Sequence, residues 1–259
     1  MKKRLAIVNA IALAVTIFIN YLSNTGVLNG NTMSTISDRY ENYFTPAGYA
    51  FSIWGLIYLT LAGFVIYGIR NAFNDKFKAD DTLINVGWWF LISCIANSLW
   101  VVTWLYDYLA ISVVLMIIIL ICLLKIIVNT KSKLNILAVP NYLFNYLPFS
   151  LYAGWISVAL IANMAAFLTS LGWNGFGINP INWTIVMIVV AGIVNVFMVL
   201  SRNLRAYGLV GIWALFAIAN ANQGNSEAIK IIYICYVIVL AISIAVIISL
   251  FNQRKIFTK

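Results

Sequence analysis

The stretch FTPAGYAFSIWGLIYLTLAGF, Phe44 to Phe64, is long and apolar enough to cross a bilayer, yet it carries one Pro, three Gly, one Trp and two Tyr. A helix that only had to sit in lipid would need none of these residues, so the stretch reads as a membrane span with a structured inner face. The rest of the chain is built the same way. Of its 259 residues, 63% are hydrophobic and 9% charged, and the mean hydropathy is +0.96. Soluble domains do not reach such values. Runs of about 20 apolar residues, enough to cross roughly 30 Å of hydrocarbon as a helix, recur near 5–22, 45–69, 83–106, 109–128, 146–172, 182–201, 206–222 and 229–251. None alternates with a period of two, as barrel strands do. The expected fold is all-α: a polytopic membrane helix bundle of about eight transmembrane helices.

Lys and Arg favour cytoplasmic loops. With the N-terminus inside, the inner segments hold Lys2, Lys3 and Arg4; Arg70, Lys76 and Lys78; Lys125, Lys131 and Lys133; Arg202 and Arg205; and Arg254, Lys255 and Lys259. Only Arg39 and Lys230 of the sixteen basic residues fall outside. The alternation predicts eight crossings with both termini cytoplasmic. It also accounts for the net charge of +9, which in a soluble chain would point to nucleic acid. The bilayer, not nucleic acid, is the expected partner. Met1–Leu22 has the outline of a signal peptide, but no small-x-small cleavage site follows closely, and it reads as helix one. A bacterial inner membrane is the expected location.

Several chemistries are disfavoured by what the spans contain. Cys94, Cys122 and Cys235 fall inside spans without metal-ligand spacing, and there is no His, so no metal site is expected. The acidic residues Asp38, Glu41, Asp75, Asp80, Asp81, Asp107 and Glu227 lie in loops or at span ends, as does Lys125. Proton relays, ion pumps and retinal-type Schiff bases need such groups in mid-membrane. No catalytic residue is assigned.

What remains inside the spans is uncharged: amides, hydroxyls and large aromatics. Phe51, Trp54, Tyr58 and Leu61 recur at helical spacing, as do Trp89, Ser93, Asn97, Trp100 and Trp104, and Pro148, Tyr152, Trp155, Ala159 and Asn163. Lipid offers an amide no hydrogen bond, so Asn97 and Asn163 should face the bundle interior and carry their stripes inward. Two readings fit. The stripes are interhelical packing, or they line a small-molecule pocket whose flat walls suit a planar apolar ring. Trp88, Trp173 and Trp183 lie near span ends, where Trp anchors helices among headgroups. Gly48, Gly55 and Gly63 are read as points of close helix approach, and Pro46 suits a helix start.

At these residues the chain resembles the tryptophan-rich sensory protein / translocator protein family (TspO/MBR, peripheral benzodiazepine receptor-like). FTPAGYAFSIWGLIYLTL resembles its second-helix signature, IANSLWVVTWLY its Asn-x-Leu-Trp segment, and YLPFSLYAGWISVALIANM its Pro-Tyr-x-x-Trp segment with a downstream Asn. The resemblance covers about residues 1–172, the five helices of the usual member; 173–259 adds three helices, expected to pack on the same bundle as one continuous membrane domain. It implies a receptor for porphyrins, haem-related tetrapyrroles, sterols or synthetic ring ligands, and a capacity to form homodimers. No cofactor is expected beyond such a porphyrin- or haem-like ligand. The stripes and the resemblance together give the candidate ligand-binding set Phe51, Trp54, Tyr58, Ser93, Asn97, Trp100, Trp104, Tyr152, Trp155 and Asn163. Family members carry Trp and a Pro-Pro pair before helix two, whereas NTGVLNGNTMSTISDRYENYF, Asn24 to Phe44, has neither. The alternatives to a receptor are a transporter or exporter of such a compound, a light-dependent porphyrin-degrading enzyme as the resemblance implies for the residue matching Trp54, and a scaffold without ligand.

Overall fold

A computed structural model describes residues 1–74, 81–130 and 142–257. Lys76, Lys78, Lys131, Lys133 and Lys259 of the basic clusters lie outside the described residues. Among the described residues every regular element is helical: α1 (Lys2–Leu22), α2 (Met33–Arg39), α3 (Ile53–Phe73), α4 (Thr82–Val86), α5 (Trp89–Leu105), α6 (Leu109–Thr130), α7 (Leu147–Ser170), α8 (Pro180–Arg202), α9 (Arg205–Ala221) and α10 (Ile229–Phe257). Among the described residues six stretches are long and apolar enough to cross a membrane: Lys2–Leu22, Gly48–Phe73, Leu109–Thr130, Tyr142–Ser170, Pro180–Arg202 and Ser226–Phe251. The two remaining apolar helices, α5 and α9, have 17 residues each. At 1.5 Å per residue they reach about 26 Å, the short end of what spans hydrocarbon. The protein is an integral, multi-pass membrane helix bundle.

The helices are turned inside out relative to a soluble bundle. On α1 the buried face is Leu5, Asn9, Leu13, Thr16 and Asn20, while Ile7, Ile11, Val15 and Phe18 are exposed. Apolar side chains facing outward cost nothing in lipid, and polar ones must go inward to be satisfied.

The chain forms two compact units: residues 1–33 with 53–153, and residues 34–52 with 154–259. In the first, the crossings alternate. The N-terminal end of α1 lies with the C-terminal end of α3 and the segment that follows, through the Lys2–Asp81 ion pair at 3.0 Å and through Lys3 over Phe73 and Arg4 over Trp88. The C-terminal turn of α6 reaches the same end, where Asn129 donates to the carbonyl of Asn85. At the opposite end Asn29 and Asn31 both donate to the carbonyl of Leu105. A π-helical turn, Tyr142–Tyr146, precedes α7. Pro148 has no N–H to give the carbonyl four residues back, and the wider turn accommodates that loss.

The second unit contains α2, a 3-10 turn at Gly48–Ser52, the rest of α7, and α8 to α10. The loop before α3 is stapled to α9. Asn222 donates to the carbonyl of Tyr43, Trp213 to that of Ala50, and the amide of Ala47 to the carbonyl of Ala217. The α8–α9 hairpin turns at Asn203, which caps α8 in the left-handed region with φ 61°. Its carboxamide oxygen accepts from Ser249 and from Arg205.

Close helix approach is not where the sequence places it. A Cβ on Gly48 or Gly55 would meet open space, and only Gly63 faces a neighbour, the Phe144 ring at 3.2 Å. The tightest positions lie in the second unit. A Cβ on Gly154 would sit 3.0 Å from the backbone of Tyr207, and one on Gly208 would sit 2.6 Å from Val199 and 3.2 Å from Ile242. Stability should separate the two groups. Gly208→Ala is expected to cost about 1–3 kcal/mol, because stiff β-branched neighbours enclose it. Gly55→Ala should be neutral or gain up to about 1 kcal/mol from reduced backbone entropy. Thermal unfolding in detergent micelles checks the order.

Candidate functional site

Ten residues were singled out by their spacing, and the structure places seven of them in the first unit. Asn97, at mid-helix in α5, is fully buried. Its oxygen accepts from Asn20 Nδ2 at 2.8 Å and from the Tyr58 hydroxyl at 3.4 Å, and its Nδ2 donates to the Tyr152 hydroxyl at 2.9 Å. One amide thus joins α1, α3, α5 and α7. The first helix adds a second link, with the Thr16 hydroxyl within 3.2 Å of the Cys94 carbonyl and 3.3 Å of the Ser98 hydroxyl.

The aromatic rings gather around this amide. Trp54 stacks on Tyr58 with centroids 5.4 Å apart, lies 5.8 Å from Trp100, and meets Tyr152 edge-on at 5.7 Å. Trp100 stacks on Trp104 at 6.4 Å. Trp104 is anchored by its Nε1 donating to the carbonyl of Met33. Ser93 is buried, and its hydroxyl donates within its own helix to Phe90. The cluster is a set of ring faces whose central hydrogen bonds are internal.

The other three residues belong to the second unit. Phe51 is not on the α3 face, because the helix starts at Ile53 and Phe51 sits in the preceding 3-10 turn, whose three-residue period breaks the α register. It meets Trp155 edge-on at 6.3 Å. Trp155 and Asn163 are both buried on α7, at 2% exposure each.

Spacing missed a cavity in the second unit, about 590 Å³ in volume. Its walls come from Glu41 to Phe44, one face of α7 and the start of α8. Trp173 and Trp183 line it rather than serving only as span-end anchors. The signal lay in Trp173, inside the Gly-rich turn GWNGFG, and Trp183 shortly after it, but it takes the fold to bring residues 41–44 to the same cavity.

Residues 6–248 match the family model described as TSPO-like protein. The chain belongs to this family. The match begins in α1, passes through residues of both compact units and ends inside α10. No curated protein and no solved structure matches the chain.

The cluster presents indole and phenol faces and edges around an uncharged amide. Without His in the chain, a haem iron would find no imidazole, and among the described residues no group of three or more His, Cys, Asp or Glu is placed to hold a metal.

Two buried amides of the first unit should respond oppositely to removal. Asn97→Leu leaves Asn20 and Tyr152 without their partner and should cost about 1–3 kcal/mol. Asn9, 1% exposed, has no hydrogen-bond partner for either side-chain polar atom among the described residues. Asn9→Leu should therefore raise stability by about 1–3 kcal/mol. Unfolding midpoints in one detergent measure both, and a loss of equal size in the two variants would contradict the difference in their bonding.

Proposed function

We propose that the protein is a membrane receptor for a planar apolar ring compound of the tetrapyrrole class, bound at the Trp54 cluster. The observation that carries this reading is the position of Trp54 as a hub, touching Tyr58, Trp100 and Tyr152 around a central amide. Ring faces and edges held at fixed angles are a surface on which a flat ring can stack. Because the Asn97 hydrogen bonds are made within the protein, a ligand here is selected by shape and stacking. Membership of the TSPO-like family supports a membrane ligand-binding role, and the absence of charge in the cluster disfavours ion-coupled chemistry.

The test is titration of the purified protein in nanodiscs with protoporphyrin IX, following tryptophan fluorescence in the dark and then under light. Saturable quenching is expected. Trp54→Ala should weaken it by about 1–3 kcal/mol of lost stacking and burial, with Trp100→Phe intermediate. Quenching that never saturates, or is identical in wild type and variants, would sink the proposal. A light-dependent spectral change lost with Trp54 would shift the reading to an enzyme, and ligand flux in sealed vesicles would shift it to a transporter.

A further inference from the structure

The cavity of the second unit has a chemistry of its own. Its body is apolar: Leu160, Ile161, Met164 and Leu168 from α7, with Met187 from α8. Trp173 and Trp183 form a tilted pair with centroids 5.4 Å apart. Trp183 is fixed by its Nε1 donating to the Gly175 carbonyl at 2.7 Å. Gly175, at φ 66°, lets the turn pass so close that a Cβ there would lie 3.0 Å from the Trp183 ring.

The polar groups of the lining are nearly all committed to local structure. The Asn42 side chain donates to the Tyr40 carbonyl and accepts from the Phe44 amide, and the Asn174 oxygen accepts from the Phe176 amide. The hydroxyls of Thr169 and Thr184 donate one turn back along their helices. The indole N–H of Trp183 is taken. Glu41 is the sole charged residue of the lining, which contains no Lys or Arg, and among the described residues no salt bridge to it is formed. An anion entering this cavity meets a carboxylate and no cation. A positive group meets that carboxylate and the negative faces of indole rings, an arrangement suited to ammonium recognition.

We infer that this cavity binds an organic cation, an ammonium or phosphonium centre on an apolar body, with Glu41 as counter-ion and Trp173 and Trp183 as the aromatic wall. The volume of about 590 Å³ lies in the range of drug-sized ligand sites. The same chemistry is offered by a soluble amine and by the quaternary ammonium headgroup of a choline lipid. The lining shares no residue with the Trp54 cluster, and the selectivity is for charge as well as for shape.

The probe is radiolabelled tetraphenylphosphonium, titrated onto the full chain in phosphatidylglycerol nanodiscs, with binding to protein-free discs subtracted. Saturable binding is expected, displaced by benzyltrimethylammonium but not by neopentylbenzene, which has the same shape without the charge. Glu41→Gln, an exposed and structurally undemanding change, should weaken binding by roughly tenfold. Met164→Trp, which fills the cavity, should abolish it, with circular dichroism confirming that the variant is folded. Trp54→Phe should leave it unchanged, so that failure of the ring-receptor reading and failure of this one are distinguishable. Absence of saturable binding, displacement by the neutral isostere, or binding that survives either Glu41→Gln or Met164→Trp unaltered would overturn the inference. Repeating the titration in phosphatidylcholine discs separates the sources. A lipid headgroup as occupant predicts that the difference between wild type and Glu41→Gln collapses there, whereas a soluble cation predicts that it persists.

Discussion

An amide in hydrocarbon has no solvent to fall back on, and the first unit is organised around that constraint. Asn97 is fully buried and must satisfy a donor group and an acceptor within the protein. Its partners are Asn20, Tyr58 and Tyr152, one from each of three other helices. Bonds of this kind fix the rotation of each helix about its axis, something a uniformly apolar surface leaves undetermined because lipid tails and Leu side chains are equivalent neighbours. Once the rotation is set, Trp54 and Trp100 have no choice but to converge. The aromatic cluster is therefore a consequence of the amide, and its function inherits the rigidity of the hydrogen bonds behind it.

The second unit uses a different means of specification. Gly154 and Gly208 bring backbones and β-branched side chains to van der Waals distance, and dispersion over such close surfaces replaces the hydrophobic effect that lipid removes. Gly211 does both jobs at once. The Asn195 side-chain oxygen, buried and without a conventional donor among the described residues, lies directly against the position a Gly211 Cβ would occupy. The Gly211 Cα–H is left as its neighbour, a weak but recurrent type of contact at helix interfaces.

Membership of the TSPO-like family accounts for the architecture, but function resides in sites placed on a fold. The chain carries two settings with opposite chemistry. The Trp54 cluster is uncharged, with its hydrogen bonds turned inward, and in the proposed reading it selects by ring geometry. The cavity beside Trp183 keeps its apolar walls but places one carboxylate at its rim, and it discriminates by charge. Under the two proposals an apolar ring and an organic cation are recognised by sets of residues with no member in common.

Much of this was legible in the sequence. Hydropathy alone located eight apolar helices, because crossing a bilayer demands a fixed length of uninterrupted apolar chain. Asn97, Trp54, Trp100 and Tyr152 could be singled out because a 3.6-residue period projects directly onto one helix face. Phe51 was misplaced by the same argument, since a period says nothing of where a 3-10 turn hands over to an α-helix. Gly48 and Gly55 of the opening stretch were likewise assigned close approaches they do not make, unlike Gly63, because residue type tells that a neighbour is permitted and not that one is present. The cavity was beyond reach for a related reason. Glu41 and Trp183 are 142 positions apart in the chain, and they line one cavity in a unit where the loop before α3 is stapled onto α9 by Asn222 and Trp213. Periodicity and hydropathy are properties of local chain and are fixed by the sequence; a site assembled from distant segments exists only after hydrogen bonds between those segments have chosen their register.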